Sequence, residues 1–426
     1  MTPAGTRELE QLWRESTPRV LAALVRRYGD FDSAEDALQE ALLAASRQWP
    51  AAGVPDNPAG WLLTVASRRL IDQWRTDSAR TERERLLAHQ TPADELVSSP
   101  VENLAVDTDD SLSLLLLCCH PALPRPAQVA LTLRAVGGLS TRQIAHAFLV
   151  PEPTMAQRIS RAKARLRQAG ARFPLPPAHE LPGRVAAVTQ VLYLIFTEGH
   201  TSTAGTGLLD VSVSSEAIRL TRRLHRQLPG DCEITGLLAL MLLTDARRAA
   251  RIDAGGALVP LAEQDRGRWD QAQLAEGIAL VEAALPSGPV GPYQLQAAIA
   301  AVHAEAADAE QTDWAQIEAL YRMLARLDPG PMVTLNHAVA LAMVAGPAAG
   351  LAMLEPLLAD PRLRHNHRLA AVRAHLLETD GAPEEARRAY TAAARLATSI
   401  PEQHYLHARA LALRTPAAEP DPARRT

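Results

Sequence analysis

The 426-residue chain has a formal net charge of −4, with 22% charged, 47% hydrophobic and 4% aromatic residues, enough apolar material for two to four domains with ordinary cores. Three cysteines (Cys118, Cys119, Cys232) exclude a disulfide framework and point to a reducing compartment. The absence of a basic-then-apolar leader and of any apolar stretch approaching about 18 residues leaves a soluble, cytoplasmic protein as the expectation.

Strand signals are nearly absent, while helical periodicity, alanine richness and helix-ending Gly and Pro recur throughout, so the sequence predicts an all-α fold. Charge is unevenly spread: residues 1–172 sum to +1 and residues 173–426 to −5. Any nucleic-acid contact is therefore local and belongs to the first part of the chain.

A first module is expected over residues 1–90. Within it, Ala34, Leu38, Ala41, Leu42, Ala45 and Trp49 form the core face of one helix, opposite Asp36, Gln39, Glu40 and Arg47. Leu43 sits in the middle of that polar face. An apolar side chain there points to a partner surface, although single exposed leucines are common. A second helix from about Ala59 sets Thr64, Arg68, Asp72 and Arg75 in one stripe, with Arg69 next to it and Trp61 and Trp74 alongside. Arginine supplies phosphate contacts and an aromatic ring can support an unstacked base, but tryptophans at helical spacing are more often core.

Residues 91–110 hold six acids (Asp94, Glu95, Glu102, Asp107, Asp109, Asp110) and no Lys or Arg. Such a linker is repelled by DNA and attracted to a basic channel, or is simply an acidic flexible connector. In the next module, residues 111–172, the run Leu114–Leu117 reads as a buried helix; the adjacent Cys118-Cys119-His120 lacks metal-ligand spacing, and no metal or cofactor is expected. Ser140 then N-caps a helix over Thr141–Phe148, and Val150-Pro-Glu-Pro153 turns a corner into a second helix from about Thr154 to Gln168. Met155, Ile159, Ala162 and Leu166 fall on one inward arc. Thr154, Arg158, Arg161 and Arg165 share a stripe about 100° away, with Gln157 on the same exposed side. From Arg125 to Arg172 there are nine Lys/Arg against one acid, Glu152, whereas a merely solvated helix mixes signs. This is the layout of a helix-turn-helix that reads a major groove.

A proline-rich break over residues 173–182 precedes a helical middle segment, 183–285, which concentrates Glu, His, Asp and Arg around apolar helices (Glu198, His200, Asp265). With no nucleophile spacing, metal pattern or phosphate loop, no catalytic residue is assigned there and the protein is not expected to be an enzyme; buried salt bridges and helix caps account for these residues. From 291 to 413 a helix-pair period of about 35 residues appears: Pro292–Ala307 with Trp314–Leu327, Pro331–Val344 with Pro347–Leu358, and Leu363–Glu378 with Pro383–Ala397, capped by Pro401–Leu413. The spacing resembles tetratricopeptide (TPR) repeats, whose default role is protein or peptide binding. Residues 414–426 are expected to be a disordered tail.

Two stretches carry a family resemblance. Ala34-Glu-Asp-Ala-Leu-Gln-Glu40 with Asn57-Pro-Ala-Gly-Trp-Leu-Leu-Thr-Val-Ala-Ser-Arg-Arg-Leu-Ile-Asp72 resembles region 2 of the sigma-70 family, and Gly138-Leu-Ser-Thr-Arg-Gln-Ile-Ala145 through Thr154-Met-Ala-Gln-Arg-Ile-Ser-Arg-Ala-Lys163 resembles its region 4. With only these two regions before the extension, the chain is similar to extracytoplasmic-function (ECF) sigma factors of the subgroup with a C-terminal TPR-like extension. The resemblance implies that Asp36, Gln39, Glu40 and Leu43 dock on the β′ clamp of the RNA polymerase core enzyme. It implies that Trp61, Thr64, Arg68, Arg69, Trp74 and Arg75 engage the −10 element of promoter DNA, and that Thr154, Gln157, Arg158, Arg161 and Arg165 engage the −35 element. The expected function is promoter-specific transcription initiation, with a regulatory or protein-binding extension. Two alternatives differ in class: a helix-turn-helix regulator with a TPR sensor array, which needs no polymerase-docking helix, and a TPR scaffold, which needs no basic stripe.

Overall fold

The computed structural model describes residues 3–86, 110–148, 150–170, 176–177, 179–200, 211–253 and 257–413. Most of the acidic linker (91–109), residues 173–175 of the proline-rich break and the tail from 414 lie outside the described residues. The chain is all-α: the described residues form α-helices and short 3-10 turns, with one isolated bridge between Ile252 and Leu258 and no strand. None of these helices is long and apolar enough to cross a membrane. The chain divides into two compact units, Met1–Ile195 and Phe196–Thr426.

In the first unit, α1 (Pro3–Tyr28), α2 (Phe31–Ala52) and α3 (Pro58–Leu86) pack on one another. Local chemistry sets their ends. Gly29 and Gly53 take φ of +74° and +85°, which a side chain would resist, and so close α1 and α2. Asp30 caps α2, accepting from the Asp32 amide at 3.1 Å and the Ser33 hydroxyl at 2.6 Å. Leu21, Leu24, Leu38, Leu62 and Leu70 are fully buried at the centre of the bundle.

Four more helices follow: α4 (Ser111–Cys118), α5 (Arg125–Ala135), α6 (Thr141–Ala147) and α7 (Glu152–Gln168). Leu114 to Cys119 are buried, and burial pushes the Cys119 thiol up to about 12 even though Thr132 Oγ1 lies 3.6 Å from its sulfur. These thiols are packing groups. The long α8 (Leu181–His200) starts in this unit, where Arg184 Nη2 donates to the Leu116 carbonyl at 2.7 Å and Arg125 Nη1 reaches the Ala187 carbonyl at 3.4 Å. The division between units thus falls inside α8, downstream of the proline-rich stretch, because these bonds tie its first turns to α4 and α5.

The second unit contains α9 (Val211–Gln227), α10 (Cys232–Asp245), α11 (Gln271–Ala284) and α12 (Pro292–Glu305). The almost wholly buried α10 packs against the other three. A Cβ on Gly236 would lie 2.7 Å from the Gln294 backbone nitrogen, so glycine is what lets α10 and α12 approach. The Glu233 carboxylate caps α12, accepting from the Tyr293 and Gln294 amides at 3.2 Å each. Then α13 (Trp314–Leu327), α14 (Pro331–Ala345), α15 (Pro347–Leu358), α16 (His367–Thr379), α17 (Pro383–Leu396) and α18 (Ile400–Ala412) each pack on the next. Ala338, Ala340, Ala389 and Ala393 are buried at these contacts. The helix expected from Leu363 begins instead at His367: Pro361–Leu363 forms a 3-10 turn, and Asn366 caps α16 by accepting from the Arg368 and Leu369 amides.

Buried titratable groups in this unit make its stability depend on pH. Burial, helped by the guanidiniums of Arg251, Arg247 and Arg248, pushes His200 down to about 2; burial with Arg247 and Arg266 pushes His303 down to about 4. Both imidazoles are neutral in the fold, whereas the unfolded chain protonates them near 6.5. The unfolded state therefore binds more protons below that value, and stability falls as pH drops from about 6.5. The Glu318 carboxylate, bonded to His337 at 3.1 Å and to Arg322, is held below its ordinary value, so its contribution is full above about 4.5 and fades as pH falls further. His303→Gln is expected to flatten the pH dependence of the urea midpoint between pH 6.5 and 4 while leaving the limb below pH 4.5 in place. An unchanged slope would remove His303 from the account.

Candidate nucleic-acid interface

In the helix-turn-helix, Gly138 at φ +68° turns the chain after α5. Ser140 then closes a capping box on α6: its hydroxyl accepts from the Gln143 amide at 3.2 Å, and Gln143 Oε1 accepts from the Ser140 amide at 2.8 Å. Pro153 sits in the first turn of α7, where its missing N–H costs nothing. Met155, Ile159, Ala162 and Leu166 are buried against α5 and α6. That packing fixes the rotation of α7 and turns Thr154, Gln157, Arg161 and Arg165 to solvent, with Arg158 half-buried beside them. These five side chains line one shallow groove together with Pro124 and Ala127. The groove wall is cationic, as a phosphate backbone requires.

On α3, Arg68, Arg69 and Arg75 are exposed and Trp74 is 40% exposed. Trp74 stands edge-on to Tyr28 at 5.3 Å, and Trp61 edge-on to the buried Trp49 at 5.4 Å. Trp61 is therefore part of the aromatic packing, and Trp74 has the freer ring face. The Thr64 hydroxyl donates back to the Gly60 carbonyl at 2.8 Å. Arg69 forms an exposed pair with Glu40 at 3.4 Å, which joins the expected docking helix to the expected DNA-facing helix.

The polar face of α2 is more engaged than its pattern suggests. Leu43 is 53% exposed, and with Gln39 and Ser46 it lines a groove whose other wall is Arg134, Ser140, Arg142 and Gln143. Beside that groove, Lys163 of α7 reaches three carboxylates of α2: Asp32 at 2.8 Å, Asp36 at 2.9 Å and Glu35 at 3.0 Å. Arg134 holds the other oxygen of Glu35 at 3.1 Å, and Arg167 holds Asp32 at 3.0 Å. Burial alone would lower the Lys163 ammonium, but the Glu35 carboxylate and hydrogen bonds from Asp32, Asp36 and Glu35 outweigh it and raise its pKa. The sequence pattern concealed this cluster. Glu35 falls beside the core face and looks like one more helix-surface acid, and only the chain's lack of any other lysine marks Lys163.

Because the Lys163 and Glu35 side chains are only 10% and 7% exposed, removing the ammonium leaves Glu35 with Arg134 alone and Asp32 with Arg167, a loss of about 1–3 kcal/mol. Lys163→Met is expected to lower the stability of the first unit by about that amount in urea unfolding. A loss under about 1 kcal/mol would mean that the pair behaves as a surface bridge.

Comparison with known proteins places these features. A model of sigma-70 region 2 matches residues 12–80, a model of sigma-70 region 4 matches residues 113–166, and a family of unknown function, DUF6596, matches residues 184–285. An uncharacterized protein of Rhizobium meliloti (strain 1021) is 43% identical over 408 residues, 95% of each chain. A probable ECF RNA polymerase sigma factor, SigI, of Mycobacterium tuberculosis is 30% identical over 166 residues, which is 39% of this chain and 57% of that protein. No solved structure matches. The region 2 match covers the three-helix bundle with its α2 face and the region 4 match covers the capped helix-turn-helix, so the chain carries sigma-70 region 2 and region 4 domains followed by a long helical C-terminal extension.

Proposed function

We propose that this protein is a cytoplasmic sigma subunit that docks on the RNA polymerase core enzyme through Asp36, Gln39, Glu40 and Leu43 of α2 and directs it to promoters, with no catalysis of its own. One observation carries the reading: a single unit of the chain holds both sigma modules, and in the second of them Thr154, Gln157, Arg158, Arg161 and Arg165 share one accessible cationic groove. In this reading α7 engages the −35 element. The stripe of Thr64, Arg68, Arg69 and Arg75, with Trp61 and Trp74, engages the −10 element, where the exposed face of Trp74 is the better placed to meet an unstacked base. The helix pairs from α12 onward act as a TPR-like surface for a protein or peptide that regulates initiation.

Purified core polymerase with this protein is expected to give a promoter-dependent transcript, assayed for full-length protein and residues 1–172 in parallel; promoter binding with no transcript from either would favour a helix-turn-helix regulator. Arg161→Ala is expected to weaken promoter binding and to lower the salt slope by about one unit if it meets phosphate, or to cost about 1–3 kcal/mol at one base pair if it reads a base. Leu43→Glu is expected to reduce affinity for core polymerase with the helical content intact. Equal affinity for wild type and variant would remove Leu43 from the docking surface.

A further inference from the structure

The second unit gathers several arginines around two neighbouring turns. Three helices end close together: α8 at His200, α10 at Asp245 and α12 at Glu305. The turn after α10 is clamped from both sides, with the Ala246 carbonyl accepting from the Asp270 amide and the Arg251 carbonyl from the Val259 amide, each at 2.9 Å. From this turn Arg251 Nη1 donates to the His200 carbonyl at 2.7 Å. From the neighbouring 3-10 turn (Arg266–Arg268), Arg266 Nη1 donates to the His303 and Ala306 carbonyls at 2.6 and 2.7 Å and lies 4.6 Å over the Trp269 ring. Capping the carbonyls at helix C-termini is an ordinary structural task for arginine, and it accounts for Arg251 and Arg266. Arg248 is accounted for by Asp245, its ion-pair partner.

Arg247 is not accounted for in this way. It is half-buried, and no carboxylate or carbonyl among the described residues accepts from it. Burial and its neighbours Arg251 and Arg266 push the guanidinium down to about 10. The nearby acids serve other groups: Glu402 and Asp245 act on Arg251, and Asp308 acts on Arg266. Arg247 opens the 3-10 turn Arg248–Ala250, which packs on the Arg266–Arg268 turn, and it also acts on His200 and His303, so the five groups share one neighbourhood. The His200 ring is 5% exposed and stacks on Phe196 at 5.2 Å, and its buried Nδ1 has no hydrogen-bond partner among the described residues. A guanidinium surrounded by like charge, beside an unsatisfied ring nitrogen, is a poor way to stabilise a fold and a good way to hold an anion.

We propose that Arg247, with Arg251, Arg266, His200 and His303, forms a binding site for the oxyanion of a small ligand, a carboxylate or a phosphate. Arg251 and Arg266 are pre-positioned because their Nη1 groups are already anchored on helix ends, and the fork of Arg247 supplies the bidentate contact that planar oxyanions favour. The site lies wholly in the second unit and does not depend on the sigma function of the first.

The test is thermal unfolding of the full-length protein with isothermal titration, in sodium phosphate, sodium succinate and, at equal ionic strength, sodium chloride. Wild type is expected to melt about 4 °C or more higher at saturating phosphate or succinate than in chloride, and the effective anion identifies the oxyanion class. Arg247→Met is expected to melt in chloride at or above wild type and to lose the response. Arg247→Lys, which keeps charge without the fork, is expected to bind the anion at least about tenfold more weakly. An equal rise in wild type and Arg247→Met, no rise in either oxyanion, or an Arg247→Met protein that melts lower in chloride or fails to fold would each overturn the proposal. The last two results would show that Arg247 already has its partner within the protein.

Discussion

One ammonium group, set among carboxylates that belong to a different helix, decides how the first unit is put together. Lys163 projects from α7 into a space bounded by Asp32, Glu35 and Asp36 of α2, and Arg134 completes the cluster from α5. A lysine suits this position better than an arginine would, because a compact ammonium with three freely turning donors can serve three separate acceptors, whereas a planar fork is matched to one. The helix proposed to dock on polymerase and the helix proposed to read DNA are thereby held to each other. Of the arginine stripe on the same helix, Arg161 and Arg165 are exposed and Arg158 is half-buried. Packing and charge thus divide the work on α7: its apolar arc sets the rotation, Lys163 and Arg167 tie it to α2, and Arg161 and Arg165 stay exposed.

The second unit relies on different physics. Its helices are rich in alanine and meet through small residues, as where Gly236 passes the backbone of Gln294 and where a Cβ on Gly350 would lie 2.7 Å from the Ala338 carbonyl. Close approach leaves little room for polar side chains between helices; Glu318 and His337 are bonded to each other there, and other polar groups sit at helix ends, where Asp231, Asp270, Asp313 and Asn366 cap the helices that follow them. The charged turn around Arg247 is the exception, because there the helix ends meet one another instead of solvent.

Much of this was legible in the sequence, for identifiable reasons. Helical periodicity is a local property, so the inward arc of α7, the core face of α2 and the helix positions from Pro292 onward follow from spacing alone. Capping is local as well, and Ser140 three residues before Gln143 announces its own geometry. Pairings between residues far apart in the chain are not local. Nothing near Glu35 indicates that it will meet Lys163 and Arg134, and nothing near Arg247 indicates that Arg266 will lie beside it. The charge-rich stretch around Asp245 and Arg251 reads from sequence as ordinary salt bridges and helix caps. That describes Arg248, paired with Asp245, and Arg251, bonded to the His200 carbonyl. The start of α16 was misplaced for a local reason: the 3-10 turn over Pro361–Leu363 carries apolar residues that extend the periodic pattern one turn too early.

The presence of a single lysine in 426 residues has a practical consequence. Apart from the chain's own N-terminus, Lys163 is the one primary amine that an acylating or reductively methylating reagent can find, and it is shielded by the carboxylates it binds. Its rate of labelling therefore reports on one event, the separation of α7 from α2. Mass spectrometry of one peptide would time that separation in the free protein and again with polymerase or DNA added, with no engineered probe and no background from other side chains.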